Sequence, residues 1–132
     1  MSKKLTRKKL IIKLDNIFSK YIRLRDADKY GYCRCVTCGE RLHWKKIQAG
    51  HFISRKYYST RWDEENVNAQ CVACNVFKSG EQYKYSLYLG NDISLDLSNR
   101  SKEIVKFESY ELEEMISIYK NKIESMDSFE GA

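Results

Sequence analysis

The chain has 132 residues, with 24 Lys/Arg against 18 Asp/Glu, a formal net charge of +6 and a pI near 9.0. Its length makes one domain the expectation. No apolar run approaches the roughly 20 residues that span a bilayer, and no apolar leader opens the sequence, so membrane and secreted readings are set aside in favour of the cytoplasm. A basic balance of this size points to nucleic acid as the partner.

The charge is uneven. Residues 1–30 hold ten Lys/Arg against three Asp, and residues 101–132 hold four Lys against eight acids. Residues 1–9 are basic and polar and read as frayed. From Leu10 a helical seam begins, formed by Leu10, Leu14, Ile17, Tyr21 and Leu24 and widened by Ile11, Phe18 and Ile22. It predicts a basic N-terminal helix within residues 10–30. The apolar face can pack within the domain or build a dimer seam. The other face, with Lys8, Lys9, Lys13, Lys20, Arg23 and Arg25, suits phosphates. Asp26 to Tyr32 ends the helix.

Cys33 to Leu42 then holds a first C-x-x-C pair. Gln48 to Tyr58 reads as a β-like segment and turn, Ser59 to Asp63 as a polar loop, and Asn66 to Gln70 as an extended run into a second pair. A helix is expected to begin at Asn75, directly after Cys74, with Tyr83 to Leu89 helical or irregular. Gly90 to Asp92 is a turn. Ile93, Leu95 and Leu97 alternate with polar residues, which fits a short strand or a loop laid on the core. A second long helix is predicted over 101–126. There Leu112, Ile116, Tyr119, Ile123 and Met126 repeat the four-three spacing, with acids early and lysines late. Ser109 caps or restarts it. The tail from Asp127 is expected to be loose. The two terminal helices, opposite in charge, are expected to pack together. The absence of proline fits long helices and compact loops.

The two pairs, Cys35/Cys38 and Cys71/Cys74, bracket a segment that carries a histidine. Four thiolates at these spacings satisfy one tetrahedral Zn²⁺ and leave no open position, so such a metal would be structural. In an intracellular protein this spacing reads as metal rather than disulfide. A thiol redox role is the weaker reading. Cys33 is left over and reads as a buried small side chain. Chemistry must then come from between and just after the pairs. Phosphodiester hydrolysis needs a base for water, a cation for developing charge, and positive groups on the backbone. His51 is the candidate base, the alternatives being a buried, hydrogen-bonded histidine or a stand-in zinc ligand. His43, beside Trp44, reads as ordinary surface. Asn75 can offer an amide oxygen to a hard cation such as Mg²⁺, or it can cap a helix. Asn66 reads as a tie between loop and strand. Arg55, Lys56, Arg61 and Lys78 are candidate DNA contacts through phosphate, each also readable as a solvated charge. Asp63, Glu64 and Glu65 read as solvent-facing or salt-bridged, with one of them a candidate to assist the metal.

The order Cys-x-x-Cys, Gly50-His51, Asn66, Cys-x-x-Cys-Asn75 resembles the zinc-containing HNH, or ββα-metal, nucleases. More narrowly, Thr37-Cys38-Gly39, the run Gln48 to Arg55, Thr60-Arg61, Glu65-Asn66-Val67, Gln70-Cys71 and Cys74-Asn75 are similar to the phage NinG (Rap) recombination proteins, as is the run Tyr21 to Asp26. The similarity covers roughly residues 15–90. The fold it implies is a single α+β domain over 1–132, with a small ββα-metal core at 33–90 and long flanking helices.

The activity it implies is that of a structure-selective DNA endonuclease acting on branched recombination intermediates such as Holliday junctions and D-loops. His51 would be the general base, Asn66 would orient the loop, and Asn75 would ligate the catalytic Mg²⁺ or Mn²⁺. Many HNH proteins carry a metal-binding Asp directly before the base, where this chain has Gly50. The cation would then rest on Asn75, substrate phosphate and water. Cutting two strands favours a two-fold homodimer, with phage or host recombination proteins as further partners in the host cytoplasm. The competing class is a non-catalytic zinc module that binds DNA or recruits a recombinase.

Overall fold

Thr6 sets the start of the first helix: its hydroxyl accepts the Lys9 backbone N–H at 3.2 Å, satisfying a donor that the first turn leaves open. The fold, a computed structural model describing residues 4–129, begins there with α1, Arg7–Arg25. Residues 7–9 are thus helical rather than frayed. Residues 1–3 and 130–132, the outer parts of the two ends read as loose, lie outside the described residues. Helix α1 stops at Asp26, the first residue of the stretch expected to end it and short of residue 30. The Arg25–Asp26 pair then ties its end to the sheet. Arg25 donates to the carbonyls of Glu64 and Val67, both at 2.9 Å, and Asp26 accepts the Ala69 N–H at 2.8 Å.

Two separate antiparallel hairpins follow. Strands β1 (Tyr32–Arg34) and β2 (Arg41–His43) pair with Cys33 opposite Leu42, on either side of the first C-x-x-C turn. Strands β3 (Gln48–His51) and β4 (Val67–Gln70) pair Gln48 with Gln70, Gly50 with Asn68 and His51 with Val67. The strand predicted from Gln48 therefore ends at His51. A loop carrying the one-turn helix α2 (Tyr58–Arg61) joins the two strands.

After β4 the chain enters a wide π-type turn, Ala73–Phe77, in which Lys78 N–H reaches back to the Ala73 carbonyl at 2.9 Å. Ser79, Gly80 and Glu81 all have positive φ and break the helix expected to run on from Asn75. Helix α3 (Gln82–Leu89) restarts it. The alternating stretch around Ile93 is neither strand nor loop. It lies in helix α4 (Asn91–Ser101), where Leu97 is the buried residue and Ile93 and Leu95 stay exposed. Alternation over so few residues does not distinguish the two periods. The long helix predicted from 101 begins instead at Ser109, as α5 (Ser109–Glu124), with a reciprocal Glu108–Glu111 capping box.

The main core joins α1 to α5. Leu10, Leu14, Phe18, Tyr21 and Ile22 pack against Leu112, Ile116 and Tyr119, with Trp62 and Val67 from the loop and β4. Phe18 meets Tyr119 edge to face at 4.9 Å, an arrangement worth about 0.5–1.5 kcal/mol beyond its buried area. Of the two uses read for the apolar face of α1, this packing is the one within the chain. Among the described residues no helix is long and apolar enough to cross a membrane.

Candidate active site

The sulfur atoms of Cys35, Cys38, Cys71 and Cys74 lie within 4.8 Å of one another, and Cys38 Sγ and Cys71 Sγ are 3.7 Å apart. A tetrahedron with metal–sulfur bonds of about 2.3 Å has edges of about 3.8 Å, so these four residues could hold a structural metal such as zinc. Burial opposes ionisation of Cys35, but hydrogen bonds from Thr37 and nearby backbone amides outweigh it and bring the thiol down to about 6. Burial and the neighbouring thiols push Cys71 up to about 12, so the group is not suited to carry four negative charges without a cation. Cys33 stays outside the group. It is buried and its thiol donates to the Arg23 carbonyl at 3.1 Å.

Beside this centre is a cavity of about 600 Å³, lined by Asp15, Asn16, Ser19 and Arg23 of α1, by Gln48, Ala49 and His51 of β3, and by Arg55, Asn75 and Val76. His51 and Asn75, far apart in sequence, thus face one space. His51 Nε2 lies 2.8 Å from the Arg61 carbonyl. A carbonyl only accepts, so the proton sits on Nε2 and Nδ1 is left bare as an acceptor. Burial lowers His51 to about 4, with Arg55 and Arg61 adding to the effect, the Arg61 hydrogen bond and Asp15 opposing it. The ring is therefore neutral at pH 7. Asn75 caps no helix. Its Nδ2 donates to Gln48 Oε1 at 2.8 Å, which orients the amide and leaves Oδ1 as the atom to offer a cation.

Asn66 is fully buried. Its side chain accepts from Ile53 N–H at 2.7 Å and donates to the carbonyls of Ile53 and Thr60, both at 3.0 Å, closing the loop between β3 and β4. The four candidate cations part company. Arg55 lines the cavity with its side chain 61% exposed. Arg61 is turned inward, donating to Asp15 at 3.1 and 2.6 Å and to the Arg55 carbonyl at 2.8 Å. Lys56 and Lys78 are exposed outside the cavity lining, Lys56 lying over the Tyr57 ring. None of the acidic run lines the cavity either. Asp63 and Glu65 pair with Arg100, and Glu64 accepts from Tyr21, Tyr119 and Lys122. His43 is also elsewhere, with its Nδ1 accepting from the Lys45 N–H.

Gly50 has a spatial reason. A Cβ there would stand 2.0 Å from Gln70 Oε1. Gln70 is fully buried and donates to the Gly80 carbonyl at 2.8 Å and to Thr37 at 3.1 Å, bracing both cysteine turns. No side chain fits before His51 while Gln70 holds that place. The carboxylate that does reach the cavity is Asp15, absent from the residues singled out by sequence. Its one signal is chemical: it is the sole acid among the first 25 residues, which are rich in Lys and Arg.

A family model described as the Bacteriophage Lambda NinG protein matches residues 2–130. The "Protein ninG" of Escherichia phage 933W is 38% identical over 74 residues, covering 55% of this chain and 34% of the relative. That of Salmonella phage P22 is 37% identical over 70 residues, covering 52% and 32%. That of Escherichia phage lambda is 36% identical over 70 residues, with the same 52% and 32% coverage. The match thus spans about a third of the length of these curated relatives. No solved structure matches the chain. With nearly its whole length matched, the chain belongs to the bacteriophage NinG family.

Proposed function

We propose that this chain is a metal-dependent DNA endonuclease that hydrolyses phosphodiesters in branched recombination intermediates, Holliday junctions and D-loops among them. The observation that carries the reading is the convergence of a neutral, tautomer-fixed imidazole, an oriented amide and an exposed guanidinium on one cavity. A strand–loop–strand–helical-turn order from β3 to Ala73–Phe77 agrees with an HNH-type core.

In this reading His51 Nδ1 accepts the proton of an attacking water, and the Arg61 carbonyl steadies the imidazolium that results. Arg55 holds a backbone phosphate by charge-assisted hydrogen bonds. The lysine face of α1 gives the remaining strands an electrostatic track. Asn75 Oδ1 would hold a divalent cation, Mg²⁺ or Mn²⁺, which when bound supplies Lewis-acid stabilisation of the phosphate and leaving oxygen. Cys35, Cys38, Cys71 and Cys74 would hold Zn²⁺, which when bound would fix the two turns beside Gln70 and Asn75. Two cuts across a junction suit a two-fold pair of chains, joined elsewhere than the α1 face covered by α5.

One observation favours the competing reading, a non-catalytic zinc module that binds DNA or recruits a recombinase. The cavity carboxylate, Asp15, has both oxygens engaged by Arg61 and Trp62, so the charged oxygen ligand a divalent cation would favour is already committed. Purified protein assayed on junction, D-loop, flap and duplex DNA with Mg²⁺ or Mn²⁺ separates the two. The nuclease reading expects cleavage of branched substrates, and His51→Ala is expected to lower the rate by roughly 10²–10⁴-fold. Binding without cleavage under either ion supports the module, and cleavage that survives His51→Ala removes the base assignment.

A further inference from the structure

We propose that Asp15, on the N-terminal helix, is the positioning residue for His51, acting through Arg61. This inference rests on the reading of His51 as the base. The acceptor that fixes the His51 tautomer is a backbone carbonyl at the end of α2. Helix α2 has one turn and no side-chain cap, so it has little means of fixing its own orientation. Asn66 holds it at the Thr60 carbonyl. The next two residues are held by Asp15, whose Oδ1 accepts from Arg61 Nε at 3.1 Å and Trp62 Nε1 at 2.9 Å, and whose Oδ2 accepts from Arg61 Nη2 at 2.6 Å.

The arrangement suits this task better than a direct one. The Asp15 and Arg61 side chains are 16% and 14% exposed, so each would be costly to bury without the other. A forked, two-point contact fixes the guanidinium plane, which an ammonium or a single hydrogen bond would not. Trp62 adds a third point and is itself packed in the main core. The result is a relay from α1 through Arg61 to the ring: a rigid helix, buried against α5, dictates where the carbonyl opposite His51 stands. Asp15 also supplies the negative charge that faces the ring, against Arg55 and Arg61.

The test reads the ring directly. The chain has two histidines, so ¹⁵N-histidine labelling gives two imidazoles, which His51→Gln assigns. At pH 7 the wild type is expected to show His51 as a single Nε2–H tautomer. Asp15→Asn is expected to convert it to a mixture with Nδ1–H. It is also expected to lower kcat on junction DNA by roughly 10–100-fold, the usual loss when a group that orients a reacting ligand is removed. KM should stay within about two-fold, since no substrate contact is removed. Asp15→Glu, which keeps the carboxylate, is expected to recover part of both. Should Asp15→Asn fail to fold, Arg61→Lys breaks the same fork while keeping the charge, and the same mixture is expected. A His51 ring that stays a single Nε2–H tautomer in both Asp15→Asn and Arg61→Lys overturns the proposal, whatever happens to the rate. An Nδ1–H ring in the wild type overturns both this proposal and the base reading. Normal tautomer behaviour without any cleavage of DNA supports the Asp15 relay and counts against the nuclease reading alone.

Discussion

The four-cysteine centre and the cavity beside it are built in opposite ways. The centre is closed: three of its four cysteines are buried, and they come as two local pairs. The cavity is open and composite, with walls from α1, β3, the loop at Arg55 and the turn after Cys74. A closed centre tolerates few losses, because each ligand is irreplaceable. A composite cavity can lose one wall and keep its shape, while its chemistry depends on how the walls are aligned.

Metal loss should expose this difference most strongly. Zinc in small structural sites contributes on the order of 10–16 kcal/mol, comparable to the whole stability of a domain at about 5–15 kcal/mol. Chelation, or Cys71→Ser, is therefore expected to abolish the cooperative thermal transition. Asn75→Ala, in the cavity, loses its hydrogen bond to Gln48 and is expected to cost only about 0.5–1.5 kcal/mol. Thermal melts of both variants beside a zinc assay check this. A full melt retained after metal removal would mean that α1 and α5 hold the fold without the centre.

Protonation of His51 ranks next. The folded chain holds this ring at about 4, below its ordinary value of about 6.5. The unfolded chain therefore binds the extra proton first as pH falls. Stability is flat above about 6.5 and declines toward pH 4, by up to roughly 3 kcal/mol from this group. Melts of wild type and His51→Gln across that range should converge at acid pH, the subtraction removing thiolate protonation common to both. Equal pH slopes in the two proteins would show that the ring is not desolvated.

The same contrast explains what the sequence made legible. The cysteine centre follows from two local spacings, and the α1 and α5 seams from repeats of three and four. His51 and Asn75 could be singled out because each neighbours a recognisable motif. Asp15 could not. Its partners, Arg61 and Trp62, meet it only after α1 docks on the loop, and no local pattern encodes that contact. The π-type turn was hidden for a related reason. It depends on the cysteine turn and on three successive positive-φ residues, two of them not glycine. Helix α4 was obscured because its exposed Ile93 and Leu95 mimic the alternation of a strand.

Gly50 tests the boundary between the two regions. Gln70 fills the space where a side chain would project and braces both cysteine turns. Gly50→Ala is expected to cost about 1–3 kcal/mol through overpacking. Combining it with Gln70→Ala should cost less than the sum of the two single changes, since the clash is then relieved. Strict additivity in urea melts would mean that the two residues do not share that space. On this view an acid placed at residue 50 fails for lack of room, whatever its chemistry.

The smallest expected effect belongs to Arg55, and it separates this cavity arginine from the inward-facing Arg61. Arg61 is inward-facing and its loss would strand Asp15. Arg55 is mostly exposed and stands 3.8 Å from the same carboxylate. A surface pair of this kind contributes about 0–1 kcal/mol, so Arg55→Ala should leave the melt nearly unchanged. On the proposed nuclease reading its contribution would appear on DNA instead. Losing one phosphate contact should reduce the slope of log affinity against log salt by roughly 0.9, uniformly across sequences. An unchanged slope would place the phosphate path on the lysine face of α1 and leave the mouth of the cavity to a neutral part of the substrate.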